Sequence, residues 1–133
     1  MATNLEIVSP ERLLFSRPVD MVVIPASEGD IGVLEGHTPM IVMLRGGTID
    51  LYDGDKITDR LFVDGGFAEI TPERCTVLAT HAVPVTEISK VDAERRLQEA
   101  EATYEAADKR DTAIEDDALD RVQAARAMLE AAG

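Results

Sequence analysis

The sequence predicts a mainly β N-terminal domain over residues 1–86, a β-sandwich, followed by an α-helical antiparallel hairpin over residues 87–133. The first reason is the distribution of chain-breaking residues. All six prolines and eight of the nine glycines precede residue 87, whereas residues 87–132 contain twelve alanines. Proline and glycine punctuate turns, and alanine favours helix. The second reason is patterning, with short apolar runs in the first part and one-sided apolar stripes in the second.

Seven short apolar or alternating runs predict strands in the first part. Turn signals at intervals of about 8–12 residues, between runs rich in Val, Ile and Thr, are typical of a β-sandwich or barrel. The runs are residues 5–8, 21–24, 40–44, 48–52, 57–63, 67–70 and 75–79. Between the second and third runs lies a long glycine-rich stretch, residues 27–39, with acids and a histidine but no nucleophile. Its residues alone indicate an elaborate turn rather than a surface for a partner.

Two apolar stripes at helical spacing predict the two helices. Ser89-x-x-Asp92 and Thr112-x-x-Glu115 resemble capping boxes at their starts. The polar link of residues 108–111 is short enough for an antiparallel hairpin. Because the stripes are rich in alanine and bury little area, we expect the hairpin to be marginally stable alone and its docking to be conditional. The stripes are Ala93, Leu97, Ala100, Tyr104 and Ala107, then Ile114, Ala118, Val122, Ala125 and Leu129.

Composition excludes several classes of protein. The chain has 133 residues with 26 acids and 13 bases, a net charge of −13, so it lacks the basic patch of a nucleic-acid binder. No apolar run approaches the roughly 18–20 residues of a membrane span, and the N-terminus does not resemble a signal peptide. Cys75 is the single cysteine, which excludes an intramolecular disulfide and a cysteine-cluster metal site. We expect a soluble, reducing compartment.

No residue set predicts catalysis or a metal site. The sequence lacks a Walker-type glycine loop, a dinucleotide fingerprint and a Gly-x-Ser-x-Gly elbow. The two histidines, His37 and His81, have no partner at metal-ligand spacing. The run Asp53-Gly54-Asp55 is typical of a hairpin turn rather than a cation site, and Cys75 is interpreted as a buried structural thiol. A small hydrolase is therefore the least favoured reading.

The glycine-rich stretch carries a family resemblance. Residues 27–40 read SEGDIGVLEGHTPM, which resembles the signature of the epsilon subunit of F-type ATP synthases, called delta in mitochondria. Three other segments resemble the family in the same order: IVSPE with LFS at 7–11 and 14–16, DGGFAEI at 64–70, and VLATHA at 77–82. The two-helix tail matches by length and pattern. The resemblance therefore covers essentially the whole chain.

The resemblance implies a rotor subunit with no catalysis of its own and no required cofactor. In this family a sandwich of about ten strands sits at the foot of the central stalk, where it grips the gamma subunit and rests on the ring of c-subunits. The helical hairpin packs beside the sandwich, or extends along gamma toward the alpha/beta catalytic head and slows ATP hydrolysis. The implied location is the cytoplasmic face of the bacterial plasma (inner) membrane, with attachment only through the complex.

Individual residues carry over by their place in the motifs. Ser9, His37 and Thr38 match positions that face gamma. Asp30 matches the position that faces the polar loop of the c-ring. The flanking acids, Glu28 and Glu35, are expected to take part in the same contact. An acidic turn suits a basic loop, although exposed ion pairs contribute only about 0–1 kcal/mol each. The alternative for each residue is a solvated turn or a capped strand end.

The tail carries part of a nucleotide motif. Members of the family that bind regulatory ATP have Ile or Leu, Asp, two variable residues, Arg and Ala; here the segment at 91–96 reads VDAERR. Asp92 and Arg95 match, and the final alanine is replaced. Phosphates also need cations from the second helix, for which Arg121 and Arg126 are the candidates. The alternative is that Asp92 caps a helix and Arg95 is solvated.

Charge on the second helix predicts weak inhibition. Residues 111–133 carry two arginines against six acids, whereas the family's inhibitory target on the beta subunits is acidic. A second function class also stays open, a free acidic adaptor whose sandwich and hairpin bind another protein. Co-purification with gamma and the catalytic head distinguishes the two.

Overall fold

The computed structural model describes residues 2–107 and 110–132, within which ten strands precede two α-helices. A short 3₁₀ helix, Val85–Glu87, links the two parts. The helices are α1, Lys90–Ala106, and α2, Thr112–Ala132. The strands are β1 Thr3–Val8, β2 Leu13–Val19, β3 Met21–Ala26, β4 Gly29–Leu34, β5 Met40–Leu44, β6 Gly47–Asp53, β7 Lys56–Val63, β8 Gly66–Ile70, β9 Arg74–Leu78 and β10 Ala82–Pro84.

The strands form a nearly closed sandwich. One sheet, here the first sheet, has the order β4-β3-β6-β7-β10, and the second sheet has the order β5-β8-β9-β1-β2. The sheets join where Ala26, at the end of β3, pairs with Leu44 of β5. On the other side Arg17 of β2 forms an ion pair with Asp59 of β7. Every described pairing is antiparallel except that of β1 with β9.

Alternate residues of the strands fill the space between the sheets. Leu5 and Ile7 of β1, Val22 and Ile24 of β3, and Ile49 of β6 are fully buried. This period of two is what a strand with one covered face requires. The prediction of a sandwich is therefore confirmed, and the ten strands agree with the number implied by the resemblance.

The hydrophobic pattern did not predict three of the strands, β2, β4 and β10. The prediction of a turn across the glycine-rich stretch is wrong for residues 29–34, because β4 pairs with β3 along its whole length. Val33 is fully buried opposite Val22, and the chain turns only at residues 27 and 28 and again over residues 35–39, on either side of β4. Gly29 has a φ of +142°, which lets the chain reverse there with only two residues.

The helices form a hairpin that packs on β6 of the first sheet. Ser89 caps α1 by accepting a hydrogen bond from the Asp92 N–H, 3.3 Å, as predicted. The cap of α2 is Asp111 rather than Thr112, since its carboxylate accepts from the N–H groups of Ala113 and Ile114 at 3.1 and 3.3 Å. Of the predicted link, residues 108 and 109 lie outside the described residues.

The apolar stripes face inward with one exception. Ala93 of α1 and Ala118, Val122 and Ala125 of α2 are buried. Ile114 is exposed, so its assignment to the stripe is wrong. Ile114 lies in the first turn of α2, next to the link that follows the last residue of α1.

Candidate interaction surfaces

The outer face of the second sheet carries a row of exposed apolar side chains. Strand register pairs Met43 with Phe67 and Phe67 with Leu78, and Val8 pairs with both Leu78 and Leu13. Paired residues point to the same side of a sheet, so the row crosses five strands. Met43 is 63% exposed, Leu13 56% and Phe67 40%. We call Leu13, Ile41, Met43, Phe67 and Leu78, with the half-buried Val8 of β1 between Leu13 and Leu78, the apolar row.

The sequence contained a signal for this surface that pattern reading missed. The strand β5 is apolar at all five positions, Met40–Leu44. An antiparallel strand with one face in water alternates, so a continuous apolar run indicates that both faces are covered. Here Leu44 is buried in the sandwich, whereas Ile41 and Met43 point outward and have no cover within the described residues.

The predicted interface residues lie at two opposite ends of the sandwich. The Gly36 N–H donates to the Pro72 carbonyl at 2.7 Å, which fixes the β4–β5 turn beside the start of β9. The Ala79 N–H donates to the Val8 carbonyl at 3.0 Å, which fixes the β1–β2 turn beside the end of β9. The five residues of β9 separate these ends by about 17 Å at ~3.4 Å per residue.

This topology divides both predicted groups. We call the end with the β1–β2 turn end A and the end with the β4–β5 turn end B. The turn between β3 and β4 also lies at end A, because Ala26 pairs with Leu44 and Leu44 with Gly66. End A therefore holds Ser9, Glu28 and Asp30, and end B holds Glu35, His37 and Thr38.

Each turn is held by local hydrogen bonds. The Ser9 hydroxyl accepts from the Arg12 N–H at 3.2 Å and the Glu11 N–H at 3.3 Å, so this side chain stabilises the β1–β2 turn. At end B, His37 Nδ1 lies 2.7 Å from the Thr38 carbonyl oxygen, and the His37 N–H donates to the Leu34 carbonyl at 3.1 Å. Glu28, Asp30, Glu35 and Thr38 are exposed.

An arginine fixes the β3–β4 turn. Arg45 Nη2 donates to Asp30 Oδ1 at 2.6 Å, and Nη1 donates to the Ala26 carbonyl oxygen. Backbone bonds on either side, from Ser27 to Met43 and from Arg45 to Pro25, hold the same corner. Beside it, a cavity of about 370 Å³ separates the sandwich from the last turns of α2.

The four residues of the predicted nucleotide site are only partly brought together. Arg95 and Arg121 line one groove of about 720 Å³ between α1, α2 and β7, whereas Arg126 lines a different groove. Asp92 pairs with Arg95 at 3.3 Å, and Arg121 pairs with Asp117 at 3.2 Å. The first groove contains three arginines, the third being Arg96, against four acids. Those acids are Asp64, Glu99, Asp117 and Asp120.

The remaining reactive groups have structural roles. Cys75 is fully buried, and burial raises the pKa of its thiol to about 12, so the structural interpretation is confirmed. The turn predicted at Asp53-Gly54-Asp55 is also confirmed, with Gly54 at a φ of +64°. The Gly54 N–H donates to Asp20 Oδ2 at 2.6 Å, and this bond lowers the pKa of Asp20.

Neither helix in the described part of the chain combines the length and apolarity needed to cross a bilayer.

Comparison with known proteins relates both parts of the chain to one family. The family model for the β-sandwich domain of the ATP synthase delta/epsilon chain matches residues 2–85. The ATP synthase epsilon chain of Granulibacter bethesdensis is 65% identical, over 98% of this chain and 96% of the relative. The epsilon chain of Gluconacetobacter diazotrophicus is 47% identical, over 100% of this chain and 94% of the relative.

Solved structures agree in fold. A chain in the mitochondrial ATP synthase of Euglena gracilis superposes with a TM-score of 0.79 at 24% identity, covering 99% of this chain and 82% of that one. A chain in the central stalk and c-ring structure of Tetrahymena thermophila gives a TM-score of 0.67 at 10% identity, covering 100% and 98%. At these identities the likeness concerns the arrangement of strands and helices.

Proposed function

Since the chain belongs to the delta/epsilon family of F-type ATP synthase subunits, we propose that it joins the gamma subunit to the c-ring in the central stalk. The observation that carries this proposal is the apolar row. It is a continuous apolar surface on the sheet that the chain's own helical hairpin does not cover, because the hairpin packs on β6 of the first sheet. Such a surface indicates a protein partner.

Gamma is the partner that fits the apolar row. Fully burying a Leu, Met or Phe side chain contributes about 1.5–3 kcal/mol, and these side chains are a third to two-thirds exposed, so each adds about 1 kcal/mol. A gamma surface that reaches both Ser9 at end A and His37 at end B must run along β9, across this row. The row and the two turns then form one interface rather than separate contacts.

End A is the side we assign to the c-ring. Glu28 lies there on the two-residue turn and Asp30 among the first residues of β4, both with exposed carboxylates, which suits a basic loop. Glu35 lies at end B, so a single ring contact takes Glu28 and Asp30 and leaves Glu35 out. The subunit is then non-catalytic and peripheral, bound to the cytoplasmic face of the bacterial inner membrane through gamma and the ring.

The experiment uses membranes stripped of this subunit. Full-length protein with Phe67→Lys or Met43→Lys should lose binding to gamma, whereas Ile57→Lys should bind normally. Ile57 is a matched control because its exposed fraction, 44%, is similar to the 40% of Phe67, whereas it lies on β7 of the other sheet. Normal binding by Phe67→Lys would reject the proposed face. Failure of the wild-type chain to recover gamma and the catalytic head would favour the free adaptor instead.

A further inference from the structure

The cavity between end A and α2 brings together charges from three parts of the fold. Its acids come from the start of β4, from β6 and from the last turns of α2, and two arginines line the cavity with them. These residues are Asp30, Asp50, Glu130, Arg45 and Arg60. Arg60 Nε is engaged by Asp50 Oδ1 at 3.0 Å, through direct pairing of β6 with β7. The charges that depend on where α2 lies are therefore those around Arg45.

Arg45 lines the cavity together with two acids from different elements, Asp30 of β4 and Glu130 of α2. Its guanidinium holds Asp30 at 2.6 Å, and Glu130 lines the same cavity from the helix. As long as Arg45 is engaged with Asp30, it is less available to Glu130. Asp30 and Glu130 also repel each other through the cavity, because both are negative. Both effects have the same sign, so neutralising Asp30 favours docking of α2 on the sandwich.

We propose that Arg45 links the β3–β4 turn electrostatically to the helical hairpin, so that a cationic partner bound at Asp30 strengthens docking of α2. This inference rests on the proposed function only for the identity of that partner, a basic loop of the ring. A ring cation that pairs with Asp30 releases Arg45 toward Glu130 and cancels the repulsion. Seating on the ring and the folded position of the hairpin then support each other, as linkage requires of coupled sites.

The test uses the isolated full-length chain and measures hydrogen exchange of α2 amides. Asp30→Asn should slow that exchange by about twofold to fivefold, the range for exposed ion pairs. Glu28→Gln is the matched control, because it removes the same charge two residues away from Asp30 but does not line the cavity. In a Glu130→Gln background the effect of Asp30→Asn should vanish, and in 1 M salt it should shrink.

Two outcomes overturn the link. One is an equal effect of Asp30→Asn and Glu28→Gln, which would indicate only a change in net charge. The other is an Asp30→Asn effect that persists undiminished in the Glu130→Gln background. Arg45→Gln should speed exchange of α2 by a similar factor while the exchange of β1 core amides stays unchanged. No gamma or ring is present in this experiment, so its failure is distinct from failure of the proposed function.

Discussion

Adding one methyl group at Gly46 should release the helical hairpin from the sandwich. A Cβ at this position would lie 2.6 Å from both Cα and Cβ of Ala124 on α2. Carbon atoms in contact lie about 3.5–4.0 Å apart, so the two backbones must separate by roughly 1 Å. Gly46 does not have a positive φ, so an alanine there meets a steric conflict with the helix rather than strain in its own backbone.

The cost can be compared with what holds α2 in place. Overpacking typically costs about 1–3 kcal/mol. Burial of one methyl group contributes about 0.8 kcal/mol, so the conflict offsets the burial of about one to four methyl groups. The contact surface of α2 here is made largely of alanines, including Ala124 and Ala127, so this is a large share of its docking free energy. At 1.4 kcal/mol per tenfold change, the undocked population should rise about 5- to 140-fold.

Hydrogen exchange reports on the helical hairpin and on the sandwich separately, through the amides of α2 and those of the strands. Gly46→Ala should speed exchange of α2 and leave protection of the strands intact. Gly32→Ala is the matched control, because its Cβ would meet only the Met21 sulfur at 3.7 Å, an ordinary contact. Unchanged exchange of α2 in Gly46→Ala would refute the reasoning, since the helix would then tolerate the added methyl in place.

Three further predictions concern regulation, pH and nucleotide. Deleting residues 88–133 should raise ATP hydrolysis only modestly and leave coupling and the fold of the sandwich intact, whereas a large release of latent activity would contradict the charge argument. Asp116→Lys, Asp117→Lys and Asp120→Lys together should strengthen inhibition. Burial raises the pKa of Cys75 from 9.0 to about 12. The stability that the neutral thiol contributes is therefore fully present below pH 9 and is lost as the pH rises toward 12. In chemical denaturation the free energy of unfolding should fall by about 1.4 kcal/mol per pH unit more than in Cys75→Ala. In calorimetry Arg121→Gln should abolish any ATP binding to the α1–α2 groove, and unchanged binding would assign the site elsewhere.

The hydrophobic pattern of the sequence was sufficient to predict strands with a clear run of apolar residues. It did not predict strands whose position is set by pairing with a neighbouring strand. The strand β4 contains Gly29 and Gly32, and its place in the sheet is set by its pairing with β3. In β2 the apolar pattern is interrupted by Arg17 and Pro18, although the strand pairs with β1 along its length. The short strand β10 has three residues and ends in proline. None of the three has a sequence period long enough to read.

Candidate interface residues could be named from motifs, but which of them lie together could not be predicted. Whether Ser9 lies near His37 depends on the direction in which β9 runs between their turns, which is a long-range property of the sheet. The same holds for Glu35 and Asp30, which are five positions apart in sequence but sit at opposite ends of β4. The apolar row likewise becomes a surface only through the register of five strands from distant parts of the chain.

The parallel pairing of β1 with β9 determines when, during synthesis, the face that we assign to gamma can be completed. Asn4 pairs with Arg74, so the second sheet cannot close until some seventy residues have followed the first strand. At ~5–20 residues per second, the ribosome takes roughly 4–15 s to supply them. Leu13 and Phe67 lie on opposite sides of that seam, so an unfinished chain does not display the face that we assign to gamma. We therefore expect chains that end before β9 to bind gamma poorly.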